Sequence, residues 1–310
     1  MTHRSNGNRP GPRNPRGACH DGRMKVGRIS EIWRYPVKSM AGERLYEVEL
    51  DPVGIPGDRG WAVRDEVRGG IRGAKKIAGL MRCAARYLEP PTRARVGAPE
   101  ITLPDGSRVR ANASDAAERV SAAVQATITL WPLLPATALD HYRRGAPDHA
   151  DMETELRAVF GRTADEPLPD FSKLPREVFE YESPPGTYFD AFPLLLLSTA
   201  TLEKLAKAAP ASRVDVRRFR PNFVVETDAG IDGYVDADWA GRRLRLGKLE
   251  IDGAMACPRC VMVTHGFADL PRDPGLLRAI VRDANQNVGL YARPRGEARV
   301  RVGDEVALVD

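Results

Sequence analysis

Long apolar runs are missing from this chain of 310 residues. The longest, Phe192 to Leu197, falls far short of the roughly 18 apolar residues of a bilayer-spanning helix, so no membrane span is expected. Cysteine is scarce: Cys19, Cys83, Cys257 and Cys260 are the whole complement, and no apolar signal-peptide core precedes them. That excludes a disulfide framework and points to a reducing cytoplasm. Histidine is scarce too, and His3, His20, His141 and His149 lie in polar stretches that read as surface. There is no G-x-G-x-x-G, no G-x-x-x-x-G-K-[ST] and no H-E-x-x-H, which removes the commonest dinucleotide, nucleotide and zinc-protease signatures.

What is present fits a folded globular protein, with 42% hydrophobic and 29% charged residues. Gly (28) and Pro (25) are abundant, which favours turns and short strands over long helices. The net charge of +5 suggests a polyanion partner until its distribution is considered. Arg4, Arg9, Arg13, Arg16 and Arg23, against Asp21 alone, place +4 in residues 1–23 and leave the rest near neutral. Nucleic-acid binding by the whole surface loses its main support. Residues 1–23 hold too few apolar side chains to order themselves and read as a disordered basic leader. Met24 then opens a first strand and reads as an alternative initiator.

The length allows two domains. Strand and turn patterns fill residues 24–138, with a hairpin around Pro104-Asp105-Gly106 and one helix from Asp115 to Gln125, capped by Asp115. Residues 139–187 form a Pro-rich, acidic linker or lid with one helix candidate, Met152 to Phe160. Residues 188–310 begin at Phe189 to Leu197, followed by Ser198-Thr199-Ala200-Thr201 leading into a helix that stops at Pro210. Strands are then expected over Asn222–Glu226, Arg243–Ile251, Val261–Thr264, Ala298–Val302 and Glu305–Val309, with a helix over Gly275–Ala284. The class is mostly β with some helices (α+β).

Cys257-Pro258-Arg259-Cys260 allows several chemistries. Half of a zinc site needs a second Cys or His pair, and only His265 is near. A dithiol of the thioredoxin kind belongs at a helix start, whereas the β-branched residues after Cys260 predict a strand. A single thiolate for a soft metal, activated by Arg259, and a pair of buried inert thiols both remain open. Anion-binding types recur in Tyr35-Pro36-Val37-Lys38-Ser39, Gly57-Asp58-Arg59 and Arg217-Arg218-Phe219-Arg220-Pro221-Asn222. Each alone reads as solvated surface charge rather than as a binding site, and together they could converge on a phosphorylated cofactor.

In their order, Tyr35 to Gly42, Gly57-Asp58-Arg59, Arg218 to Asn222, Cys257 to Cys260 and Val302-Gly303-Asp304-Glu305-Val306 resemble MOSC-domain proteins with a MOSC N-terminal β-barrel domain, especially the amidoxime-reducing molybdenum enzymes. The resemblance spans Met24 to Asp310. It implies a β-barrel-like first domain, a MOSC barrel second domain, and a molybdenum cofactor, a pterin dithiolene (molybdopterin) with a terminal phosphate. Cys260 would be the metal ligand, Lys38, Ser39 and Arg59 would hold the phosphate, and Arg220 and Asn222 would contact the pterin. Asp190 matches an acidic residue near the metal, so Cys260 and Asp190 are the expected catalytic pair. The implied reaction is reduction of N-hydroxylated or other N-oxygenated small molecules. The chain has no second cofactor motif, so electrons would come from an external flavin reductase, b-type cytochrome or ferredoxin-like protein. The sequence departs from the relatives after Cys260, at Val263 to Asp269, and after Asp190, at Ala191 and Phe192. His265 reads as a surface residue at a strand end, with proton donation near the metal as the alternative. Two rivals from other classes are a persulfide carrier or cofactor-delivery protein, and a basic anion-binding module.

Overall fold

The computed structural model describes Cys19–His20, residues 23–172 and residues 174–309. The reading of residues 1–23 as a disordered leader lies mostly outside the described residues. Within them, Cys19–His20 pairs antiparallel with Arg23–Met24, so the first long strand, Arg23–Arg34, starts one residue before Met24.

The chain is mostly strands, and seven of them close into a barrel. In order around it run Arg23–Arg34, Phe223–Thr227, Leu194–Ser198, Asn287–Pro294, Leu249–Pro258, Arg243–Leu246 and Glu305–Val309, which returns to Arg23–Arg34. Closure leaves no unpaired edge. Only Leu194–Ser198 and Phe223–Thr227 pair in parallel, and the helix Thr199–Ala208 lies on the crossover between them. The barrel interior is apolar, with Ile29, Ile32, Leu194, Leu196, Phe223, Val225, Leu244 and Leu290 among its buried side chains. The Val302 to Val306 motif makes the last junction: Gly303 N–H donates to Ile29 O (2.8 Å) and Ile29 N–H to Asp304 O (2.9 Å). The first strand therefore completes a barrel otherwise built from residues after 193.

Residues 61–132 form two smaller sheets, while Glu43–Leu45 joins the edge of Arg23–Arg34 and Glu47–Leu50 pairs with Ala298–Arg301. Ile128–Pro132, Trp61–Asp65 and Ile71–Arg72 make one, and Ala84–Arg86, Glu100–Thr102 and Arg108–Arg110 another. Their core includes Val37, Met40, Leu80, Ile101 and Val120, and it also takes in Met262, Phe267 and Leu270, with Cys260 packed against it. The loop after Cys260 is thus shared property of both halves.

Several local readings hold. The hairpin turns at Gly106 with φ +84°, Met152–Phe160 is helical, and Ser198 to Thr201 lead into the helix Thr199–Ala208, which Ser198 Oγ caps by accepting from Thr201 N–H. Others are corrected. The helix after Asp115 forms as Ala116–Val124, but the Asp115 side chain makes no capping hydrogen bond. The single strand expected over Arg243–Ile251 is two antiparallel strands, Arg243–Leu246 and Leu249–Pro258, turning at Gly247 (φ +57°). Val261–Thr264 is a 3-10 turn rather than a strand, because burial of Met262, Val263 and Thr264 outweighs their β preference. His141 is buried rather than on the surface, its Nε2 2.7 Å from Tyr188 Oη, while His149 is exposed.

Asp236 gives the barrel a built-in pH dependence. It is buried, accepts from Ser198 N–H (3.1 Å) and Gly289 N–H (3.2 Å), and burial raises its pKa to about 6 despite those bonds. A carboxyl raised on folding stabilises below its unfolded pKa, and that stabilisation is lost as pH rises through the folded value. Between pH 4 and pH 7 the loss is about 3 kcal/mol. Asp236→Asn turns one acceptor into a donor facing a backbone N–H, so it should be less stable throughout. The gap to wild type should shrink by about that amount from pH 4 to pH 7, measured by urea midpoints; a constant gap would contradict this assignment.

Candidate functional site

The site is built where strands end. Arg23–Arg34 runs out into Tyr35-Pro36-Val37-Lys38-Ser39, and Arg220 and Asn222 precede Phe223–Thr227. Pro258 ends the long strand Leu249–Pro258, as a residue without an N–H must. Cys260 follows with extended backbone (φ −116°, ψ −177°) before the 3-10 turn. Three of the sequence-nominated residues, Ser39 (φ +70°), Arg59 (φ +48°) and Arg220 (φ +58°), hold left-handed backbone that glycine normally supplies. Such strain, of order 1–3 kcal/mol each, persists only where the surroundings enforce it and clusters at functional sites.

Lys38, Ser39, Arg59, Asp190, Arg220 and Asn222 all line one lobe of a cleft. Asp190, Arg259, Met262 and Tyr291 continue into a second lobe that holds Cys257, Cys260 and Lys75. The structure therefore brings together every residue nominated from sequence. The two lobes are lined by six cations, Lys38, Arg59, Lys75, Arg218, Arg220 and Arg259, and by one carboxylate, Asp190.

Buried Lys38 donates from Nζ to Asp190 Oδ1 (2.8 Å), Tyr188 O (2.9 Å) and Ser183 Oγ (3.2 Å). Burial holds its pKa below the ordinary lysine value, with Asp190 opposing. Lys75 Nζ lies 3.5 Å from the same Asp190 oxygen. Burial works against its charge, yet Asp190 and the Cys260 sulfur hold it protonated above the usual lysine range. Burial likewise opposes ionisation of Asp190, but Lys38 and Lys75 overcome it and keep the carboxylate charged far below its usual pKa.

The other wall stacks cations on Tyr35. The Arg220 guanidinium carbon lies 4.2 Å from its ring centre and that of Arg59 4.5 Å. Arg59 pairs with buried Asp58, whose Oδ1 accepts from Tyr35 N–H (2.8 Å) and whose Oδ2 accepts from Asn222 Nδ2 (3.0 Å). Asn222 also accepts from Leu195 N–H (3.1 Å), so its amide ties the strands together at the cleft. Burial and the nearby Arg59 charge lower the Arg220 pKa to about 10. Arg220 Nη2 and Arg259 Nη2 are buried and have no hydrogen-bond partner among the described residues.

Arg259 differs from its expected role. Its Nε donates to Val288 O (2.7 Å) and its Nη1 to Phe219 O (3.0 Å), so it braces the backbone. Lys75 is the stronger cationic influence on the Cys260 thiol, which burial pushes above the ordinary value while Lys75 and the Met262 N–H act in the opposite sense. Cys257 is fully buried and its thiol is raised by burial. Buried Arg218 fixes the loop after Cys260, donating to the carbonyls of Val263 (3.1 Å), His265 (2.9 Å) and Pro271 (2.7 Å). His265 is half-buried rather than on the surface, its Nε2 2.8 Å from Ala74 O, and so joins the loop to the segment carrying Lys75.

Sequence reasoning missed Lys75. Nothing in the sequence singled it out; the structure shows the close packing at neighbouring Gly73, where a Cβ would stand 2.8 Å from Ser39 Oγ and push that side chain aside. Among the described residues no three His, Cys, Asp or Glu side chains are grouped to hold a metal ion. A metal bound at Cys260 must bring most of its ligands with it. No helix among the described residues is long and apolar enough to cross a membrane.

Comparison with known proteins matches the profile of the MOSC N-terminal beta barrel domain to residues 26–129 and that of the MOSC domain to residues 183–307. The chain is 26% identical over 326 residues to mitochondrial amidoxime-reducing component 1 of Mus musculus, covering 92% of this chain and 83% of that protein. It is 27% identical over 309 residues to the Xenopus laevis protein of that name (91% and 82% covered), and 26% identical over 258 residues to the Homo sapiens one (78% and 67%). Among solved structures, the YUAD protein from Bacillus subtilis superposes with a TM-score of 0.42 at 11% identity, covering 92% of this chain and 96% of that one. The ordered motifs, the closed barrel and the two domain matches together make this chain a member of the MOSC family, a MOSC N-terminal beta barrel domain followed by a MOSC domain.

Proposed function

We propose that this protein is a molybdenum-cofactor-dependent oxidoreductase that reduces N-hydroxylated or other N-oxygenated small molecules, with electrons from an external donor protein. The observation that carries the reading is the unbalanced charge of the cleft. Six cations face one carboxylate, and two buried guanidinium nitrogens have no partner among the described residues. Buried unpaired donors are costly, so such a lining suits a resident anion. A phosphorylated pterin carrying a metal fits this donor set, with one thiol in the same cleft for a soft metal.

In this reading Cys260 supplies the thiolate, Arg59, Lys38 and Ser39 hold the phosphate, and Arg220 contacts the pterin beside Asn222. When bound, the cofactor supplies a two-electron centre able to take oxygen from an N–O bond. Asp190 is ionised at neutral pH and accepts hydrogen bonds, so it donates no proton, while Lys75 keeps its proton and presents a lasting positive charge in the lobe of Cys260. Asp190 positions both lysines. The amidoxime-reducing names of the relatives support the N-hydroxylated class, and a reducing cytoplasm would keep Cys260 available as a thiol.

Metal analysis and turnover test this together. Stoichiometric molybdenum and pterin, with donor-dependent reduction of an amidoxime, are expected; sulfane sulfur on Cys260 without metal would instead establish the carrier reading. Lys38→Ala and Arg59→Ala should each weaken cofactor retention, since each removes a charge-assisted contact of about 1.5–3 kcal/mol. Molybdenum content after gel filtration reads this directly. Wild-type occupancy in both variants would show that neither holds the phosphate.

A further inference from the structure

The thiol lobe has a mixed lining. Lys75, Asp190, Arg218 and Arg259 bring charge to it, and Phe160, Leu174, Ala191 and Val263 bring apolar side chains. Phe160 and Leu174 come from the 139–187 segment. Leu174 packs with Val178, Ala191, Phe192 and Met255. The Phe160 ring lies 5.3 Å from Phe171, which meets the exposed ring of Phe179 at 6.3 Å, so a ladder of aromatic rings runs outward from the lobe.

This wall is held in place. Gly161, at φ +60°, ends the helix beside Phe160, and a Cβ there would meet Leu277 Cδ2 at 2.8 Å. Arg162 then donates to Gln286 Oε1 (3.0 Å) and to Arg259 O (3.0 Å) in the Cys257 to Cys260 loop itself. Lys76 pairs with Glu155 of the same helix. Between residues 139 and 187 the segment carries eleven Asp and Glu against six Lys and Arg, and of its described residues only apolar side chains, Phe160 and Leu174, reach the lobe.

We propose that Phe160 and Leu174 form the wall against which the organic substituent of the substrate lies, and so set a preference for N-hydroxylated compounds bearing an aromatic or other flat apolar group. This rests on the reductase reading above, with the anionic cofactor in the cationic lobe and the substrate's N–O group beside Cys260. A flat apolar group gains by leaving water against Phe160 and Leu174, and a methyl group covers too little of that wall to gain much.

Benzamidoxime and acetamidoxime carry the same reacting group and differ in the phenyl ring, so together they isolate the wall. Binding to the oxidised holoprotein without donor is read by calorimetry, and KM by turnover. Wild type should bind benzamidoxime more tightly. Phe160→Ala combined with Leu174→Ala should weaken benzamidoxime by about tenfold and leave acetamidoxime within about twofold. Phe160→Leu, which keeps apolar volume without the flat ring, should shift benzamidoxime in the same direction by less, and Phe179→Ala, outside the lobe, should change neither. Equal binding of both compounds by wild type, or parallel losses for both in the double variant, would overturn the proposal. Preferential binding of benzamidoxime that the wall variants abolish, without turnover of either compound, would support the wall while refuting the reductase reading.

Discussion

Cys260→Ser should abolish N-hydroxyl reduction, by at least about a hundredfold, and change the spectroscopic signature of any bound molybdenum, while Cys257→Ala retains most of both. The two thiols sit differently. Cys257 closes the alternation of the Leu249–Pro258 strand with its side chain fully buried, whereas Cys260 stands beyond the strand end, partly exposed and beside Lys75. Serine replaces a soft, ionisable sulfur with a hydroxyl that stays protonated at neutral pH, so a soft metal loses its protein bond. Cys257→Ala removes one buried sulfur and its contact with Tyr291, for about 1–2 kcal/mol of stability. Molybdenum per chain, turnover and thermal midpoint are measured on both variants. Equal inactivation would reject the single-thiolate site, and an active Cys260→Ser protein would reject the role of the thiol altogether.

Asp190→Asn should destabilise the cofactor-free protein and cut turnover at least tenfold in the loaded one. Lys38 is buried, and the substitution removes the ion-pair partner that it shares with Lys75, leaving only the weaker influence of Glu182 on both. Losing one partner of a fully buried pair costs about 3–5 kcal/mol, but the Asp190 side chain is 38% exposed, so about 1–3 kcal/mol is the discounted expectation. The pH dependence follows from the sign of the shift. A carboxylate whose pKa falls on folding stabilises above its unfolded value, and that stabilisation disappears as pH drops below about 4. The deficit of the variant should therefore be present at pH 7 and fade in acid. It should also shrink when the anionic cofactor is bound, because the ligand's charge takes over from the lost carboxylate. Urea midpoints with and without cofactor decide this; an undiminished deficit in the loaded protein would mean that no anion lies near these lysines.

Much of this site was legible because its parts are local. Tyr35 to Ser39, Gly57 to Arg59, Arg220 to Asn222 and Cys257 to Cys260 each sit at a strand end or tight turn where a few neighbouring residues dictate the backbone. What escaped was decided at long range. The Asn287–Pro294 strand was not foreseen because its residues are buried on both faces for most of its length and Gly289 takes φ +88°, so no clean alternation appears. His141 looked polar and exposed in sequence, but its partner Tyr188 lies across a loop of the acidic segment. Lys75 and Lys76 are adjacent and chemically alike, and only the fold separates them: Lys76 turns to Asp148 and Glu155, Lys75 to Asp190.

The closing strand of the barrel also sets the order of events during synthesis. Arg23–Arg34 must pair with Phe223–Thr227 and with Glu305–Val309, and the contact from Ser30 Oγ to Val224 O already spans 194 residues. Folding dominated by such distant pairings is slow, because the chain must close long loops before the contacts reward it. Until Glu305–Val309 has emerged from the ribosome, both neighbours of its place in the barrel present open edges that invite pairing with other chains. Lys38 meets Arg220 through the pairing of Arg23–Arg34 with Phe223–Thr227, and reaches Cys260 through Leu194–Ser198, Asn287–Pro294 and Leu249–Pro258. The cleft therefore comes together only after the chain has been made as far as Pro294, late in synthesis but before the barrel closes.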